Sequence, residues 1–234
     1  MDEKKSFDFW YAVNNTEIVL LPSRHLETFG TTVLNYYLIS EMMDTVDQVR
    51  VREGRMKASQ PQIITPEAYS KTLLEGFGDE AQRYVDWLRE HEKELHVLQY
   101  GYRLAQESFS EYVLTDGVKA VVDRVREEVK QKANPFSAVV LGVDNPWDVC
   151  LIKLFSEVVQ HSARTNIEQL SRRRMFDDDG GVPRGIRQEL EQAFLAASRN
   201  PGLIPKLGKR LQTYGLFDEY QDRFFSLVRS SKSP

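Results

Sequence analysis

The chain of 234 residues has a single cysteine, Cys150, so no disulfide can form within it, which fits a reducing compartment. No apolar run approaches the ~18 residues that a membrane helix needs. The opening residues, MDEKKSFDFW, lack the apolar segment of a secretory signal. An excess of positive charge is missing too. Against 31 Lys and Arg stand 35 Asp and Glu, a formal charge of −4, which argues against a dedicated nucleic-acid binder. A phosphate loop ending in Gly-Lys-Ser/Thr, a Gly-x-Gly-x-x-Gly turn and a Gly-x-Ser-x-Gly elbow are all absent. These absences lead to the expectation of a soluble cytoplasmic protein with no membrane association, no cofactor and no recognisable catalytic motif.

What is present is an ordinary globular composition, 41% hydrophobic and 28% charged, in a chain long enough for a sizeable core. Its best specified stretch is NPWDVCLIKLFSEVVQH, from Asn145 to His161. Asn145 is an N-cap candidate, Pro146 suits the first helical position, and Asp148 places a carboxylate in the first turn. Trp147, Cys150, Leu151, Leu154, Phe155 and Val158 recur at three- and four-residue steps, and Val149, Ile152 and Val159 widen the apolar surface. A helix this apolar needs cover on most sides, so it reads as the centre of a helical core. On that stripe Cys150 reads as a small core residue rather than a nucleophile.

The first third reads as β-rich. Phe7 to Val13 and Glu17 to Leu21 are aromatic and β-branched runs, and Asn14-Asn15 between them suits a hairpin turn. HLETFGTTVLNYYLISEMMD is two-sided: Leu26, Phe29, Val33, Leu34, Tyr37 and Leu38 fit helical spacing, but the β-branched and aromatic run from Thr31 to Ser40 favours a strand buried on both faces. In QVRVREGRMKAS a second hairpin is expected to turn at Glu53-Gly54. That register would crowd Arg50, Arg52, Arg55 and Lys57 onto one face. Like charges opposite one another are destabilising, so an anionic partner or neighbouring acidic side chains should lie against them.

Helices are expected from Pro66 and from Asp79 up to about residue 95. A tyrosine-rich hairpin follows, His96 to Tyr102 and Phe109 to Leu114. After it comes a helix begun by Asp116, with Val118, Val121, Val122, Val125 and Val129 on one face. The polar KQKANP stretch supplies a boundary at about residue 133. Phe136 to Val143 reads as either a short helix or a strand. Beyond the central helix, Thr165 with Glu168 forms a capping-box pair, Pro183 opens a helix, and Asn200-Pro201-Gly202 turns into a short one that Gly215 closes. A last helix carries Tyr220, Phe224, Leu227 and Val228.

RRRMFDDDGGVPR, residues 172 to 184, is the remaining feature. Arg172, Arg173 and Arg174 at a helix end could hold an anion or a partner. Asp177, Asp178 and Asp179 are hard oxygen ligands that could hold a divalent cation. The spacing fails both the EF-hand and the phosphate-loop tests, and an Arg cluster beside an Asp cluster can also satisfy itself. His91 with Glu94, and Glu157 with His161, sit one helical turn apart but in the wrong order for a di-iron bundle. Tyr36, Tyr37, Tyr100 and Tyr102 could stack bases, although strand tyrosines more commonly pack.

The expected architecture is α+β. Antiparallel hairpins with helices fill residues 1–133, a mostly helical unit around one central helix fills 134–230, and 231–234 form a frayed tail. The expected function is an interaction or regulatory protein, taking another protein or an anionic ligand on the cationic hairpin face. The alternative is a metal-dependent enzyme of phosphate or nucleotide chemistry using residues 177–179.

Overall fold

Phe9, Ala12 and Val13 are buried, a one-sided set at steps of three and four that only a helix can produce. The computed structural model accordingly places a helix, α1, at Glu3–Asn14, where a strand and hairpin turn are expected from composition. The Asn15 amide and the Thr16 hydroxyl donate to the carbonyls of Tyr11 and Ala12, so Asn14-Asn15 ends a helix. Described residues are 3–42, 47–63, 74–75, 100–102 and 104–231. Most of the helices expected between 65 and 95, His91 with Glu94, the strand start at 96–99 and residues 232–234 lie outside them.

The described residues divide into two compact units, one of 3–42, 47–60, 74–75, 102 and 104–167, the other of 61–63, 100–101 and 168–231. The first is built on a mixed sheet. Its strands are β1 (Glu17–Leu20), β2 (Thr32–Glu41), β3 (Gln48–Ala58), β5 (Leu74–Glu75), β7 (Leu104–Thr115) and β8 (Ser137–Val143), in the order β1-β8-β2-β3-β7-β5. β2, β3 and β7 run antiparallel in turn, whereas β8 lies parallel to β2. β7 and β8 are therefore parallel, and parallel strands need a crossover. The helix α2 (Val118–Lys132) supplies it. Its Val121, Val125 and Val129 pack on Ile39, Val49, Val51 and Val139 of one sheet face.

Two expectations change here. The boundary near 133 falls between α2 and β8, a strand paired with both β1 and β2. Residues 48–58 form one continuous strand, with no turn at Glu53-Gly54; the hairpin is β2 with β3. Gly54 sits mid-strand because a Cβ there would lie 2.5 Å from the Tyr36 hydroxyl and 2.7 Å from the Phe109 Cβ.

On the opposite sheet face lies α3, which runs without a break over Trp147–Arg172, so the Thr165–Glu168 pair caps nothing. Val149 to Ile152, Leu154, Phe155, Val158 and Val159 are all at most 9% exposed. Close packing on the sheet is visible at Gly142, where a Cβ would meet the Cys150 sulfur at 2.7 Å. Burial pushes that thiol above its ordinary pKa. The central helix thus belongs, up to residue 167, with the sheet rather than with a separate helical unit. Buried hydrogen bonds tie the 22–31 loop to it. Ser162 accepts from the Leu26 amide at 3.0 Å, and Asn166 accepts from the Thr28 hydroxyl at 3.0 Å.

The second unit contains the two-residue pair β4 (Gln62–Ile63) and β6 (Tyr100–Gly101) and three helices. These are α4 (Arg184–Arg199), α5 (Ile204–Thr213) and α6 (Phe217–Ser230). Ile186, Leu190, Phe194 and Ala197 of α4 pack with Ile204, Leu207 and Leu211 of α5. Gly215, at φ +67°, closes α5 while Leu216 N–H returns to the Leu211 carbonyl at 2.9 Å.

Candidate functional site

Alternation along a single strand decides where the four expected cations go. Successive side chains of β3 point to opposite faces, so Arg50 and Arg52 face α3 while Arg55 and Lys57 face the other way. The expected four-cation face is therefore split into two pairs. Arg52, 4% exposed, lies 2.8 Å from Asp144 and 3.1 Å from Glu111. It also donates to the Ser40 hydroxyl, and its guanidinium sits 5.1 Å from the centre of the Trp147 ring. Arg50 donates to both Asp144 oxygens, at 3.0 and 2.9 Å. The anion that the arginines require is thus part of the chain. Asp144 follows β8, Glu111 is cross-strand from Arg52, and neither stands out in the sequence because tertiary pairing alone gives them a role. On the opposite face Arg55 pairs with Glu107 at 3.2 Å, and Lys57 is exposed.

Beyond the end of α2 that same face turns polar. Asn35 and Tyr37 from β2, Glu53 and Arg55 from β3, and Ser108 and Ser110 from β7 line an open depression of about 360 Å³. Next to Gly54, β7 carries one extra residue against β3, a bulge that bends the strand at this point. The Tyr112 hydroxyl donates to Glu53 Oε1 at 2.9 Å; burial first, and then this bond, push the phenol well above its ordinary pKa. The Lys132 ammonium donates to the Tyr37 hydroxyl at 3.2 Å and lies 5.0 Å from that ring's centre. The hydrogen bond to Tyr37 raises the lysine pKa. Tyr36, by contrast, is fully buried, and no base could stack on it.

The outer side of β7 is only partly paired among the described residues. β7 pairs with β3 along its length, but on its other side β5 meets only Leu104 and Ala105. Among the described residues, 106–115 has no strand neighbour on that side. Phe109, Tyr112 and Val113 are 43%, 38% and 45% exposed there. Phe109 and Val113 share the α3 face, and the Phe109 ring lies 4.9 Å from that of Trp147.

In the second unit the arginine and aspartate run resolves into local pairs. Arg172 lies 3.9 Å from Glu168, and Arg174, at φ +57°, lies 2.6 Å from Asp177. Arg173 is exposed. The Asp178 carboxylate accepts from the Gly181 amide at 3.4 Å. Arg187 reaches the Asp179 carbonyl at 2.6 Å and the Glu219 carboxylate, which raises its pKa further. Each aspartate is thus drawn to its own neighbour, and among the described residues no group of three or more His, Cys, Asp or Glu could hold a metal ion. The His161 ring lies 4.8 Å from that of His25, tilted by 41°, a neighbour from a distant part of the chain that helical spacing cannot reveal. No helix among the described residues is long and apolar enough to cross a membrane. No protein-family model, no curated protein and no solved structure matches the chain.

Proposed function

We propose that the chain is a binding protein that captures an extended segment of a partner protein by strand addition along β7. The supporting observation is the outer edge of 106–115, where backbone donors and acceptors have no strand neighbour among the described residues and Phe109, Tyr112 and Val113 are exposed. Such an edge is a ready template for an added strand, whose backbone bonds give affinity while alternate side chains give specificity. The partner segment carries apolar residues at alternate positions, which pack on Phe109, Trp147 and Val113. This keeps the expected interaction role and moves its surface from the arginines, already paired with Asp144 and Glu111, to the strand edge. The acidic-loop enzyme lacks comparable support, because Asp177 and Asp179 approach Arg174 and Arg187.

The test is selection of random peptides against the full chain, followed by titration and amide exchange. Selected peptides should alternate apolar and polar residues and slow exchange of outer-edge amides in 106–115. Val113→Lys should weaken them about tenfold or more. Self-association abolished by Val113→Lys would identify the added strand as a second copy. Absence of enrichment, or affinity unchanged by Val113→Lys, rejects strand addition.

A further inference from the structure

Glu53 differs from the carboxylates that hold the β3 arginines. Glu107, Glu111 and Asp144 each hold an arginine within 3.2 Å. Glu53 is half-buried in the depression beside Gly54; the Lys132 ammonium is near enough to feel its charge but donates to Tyr37. Its Oε1 takes the Tyr112 hydroxyl, leaving Oε2 with no partner among the described residues. The nearby Lys132 is turned to Tyr37 instead. An ammonium entering the depression would find the open Oε2 as a charged acceptor.

The surroundings specify which kind of cation. Lys132 over Tyr37 shows that an ammonium is accepted against a phenol ring in this corner of the sheet. Asn35, Ser108 and Ser110 add neutral hydrogen-bonding groups to the lining. Arg55 lies two residues from Glu53 on the same strand face, ~7 Å along the backbone, and its present partner Glu107 is a surface pair that exchanges at little cost. A carboxylate and a guanidinium at that spacing, bordered by phenols and hydroxyls, complement a small molecule bearing both charges. We propose that the depression binds a free α-amino acid, its ammonium on Glu53 and its carboxylate on Arg55. The depression shares Ser108 and Ser110 with the proposed capture strand, but its charged groups, Glu53 and Arg55, lie on β3, so amino-acid binding does not depend on partner capture.

The test is calorimetric titration of the full chain with the standard L-α-amino acids, their decarboxylated amines, and glucose as a neutral polyhydroxylated control. At least one amino acid should bind with a Kd of about 1 mM or below. Glu53→Gln should weaken it about tenfold or more, and Arg55→Gln should weaken the amino acid while leaving its amine unchanged. Circular dichroism establishes that each variant is folded, and Tyr112→Phe, which keeps the ring, should weaken binding less than Glu53→Gln. The proposal is overturned by any of three results: no amino acid bound at about 10 mM, glucose bound in preference, or affinity indifferent to Glu53→Gln. An amine that binds as tightly as its amino acid, with both indifferent to Arg55→Gln, overturns the assignment of the carboxylate to Arg55.

Discussion

The guanidinium of Arg52 lies 2.8 Å from the carboxylate of Asp144, although 92 positions separate the two residues in the chain. The arginine is 4% exposed and the aspartate 23% exposed, so the pair is unequal. Asp144→Ala leaves a buried cation with the half-exposed Glu111 as its one remaining carboxylate, beside the Ser40 hydroxyl, the residue-144 carbonyl and the Trp147 ring, and should cost about 3 kcal/mol. Arg52→Met leaves Asp144 still bound by Arg50 and should cost clearly less. Urea unfolding followed by circular dichroism decides the order. Equal losses would mean that burial of the Arg52 charge does not set the energetics.

Gly54 gives a second measurable consequence. Adding a methyl group there drives it into Tyr36, a fully buried side chain that has no room to retreat. Gly54→Ala should destabilise by about 1–3 kcal/mol, the usual range for overpacking. Pairing it with Tyr36→Phe should recover only part of this, because the ring carbon bearing the hydroxyl would itself lie 2.6 Å from the new Cβ. Full recovery in the double variant would place the clash at the hydroxyl alone.

Ala133 ends α2 in the left-handed conformation, φ 50° and ψ 25°, with its N–H on the Lys130 carbonyl. A side chain in that region costs ~1 kcal/mol, and glycine avoids the cost while giving back some unfolded-state entropy. Because Ala133 is exposed and its methyl group packs on little, Ala133→Gly should stabilise by about 0.5 kcal/mol, read as a rise in melting temperature. A fall would show that the methyl group has a packing role.

The acid limb of stability is predicted to contain a contribution from Glu191. The hydrogen bond from Arg223, opposed by desolvation and reinforced by charge attraction, holds this carboxyl below its ordinary pKa. A group depressed in the folded state stabilises above its unfolded pKa, ~4.3, and loses that contribution as pH falls through the folded value. Both side chains are about half exposed, so the amount is about 0.2–1 kcal/mol. The stability gap between the wild type and Arg223→Gln should therefore narrow from pH 6 to pH 3. It should not vanish, since Arg223 also lies 4.2 Å from the centre of the Phe194 ring. A gap of constant width over that range would remove Glu191 from the account.

Some of this architecture is legible residue by residue. The valines of α2, the apolar steps of α3 and α4 and the glycine closing α5 can all be read without coordinates, while β2 is readable only as the favoured of two patterns. In each, the local pattern and the global packing ask for the same conformation. Residues 7–13 mislead because aromatic and β-branched composition competes with a weak helical stripe, and only the burial of Phe9, Ala12 and Val13 settles the outcome. Glu53-Gly54 misleads for a different reason. A glycine beside a charged residue is a good turn signal, but here it relieves crowding from Tyr36 and Phe109 on the neighbouring strands.

The α+β class, the valine face of α2 and the depth at which α3 is buried were determined by the sequence itself, through periodicity and composition that hold within single elements. The partners were decided only by the tertiary structure. A two-residue alternation says that Arg50 and Arg52 share a face if the strand continues, but nothing local says that it does, or that Asp144 and Glu111 will meet them. The placement of Glu53 beside Tyr112 and Arg55, and the lack of a strand neighbour for 106–115 among the described residues, are likewise properties of strand order, and strand order is written in pairings between distant segments rather than in any one of them.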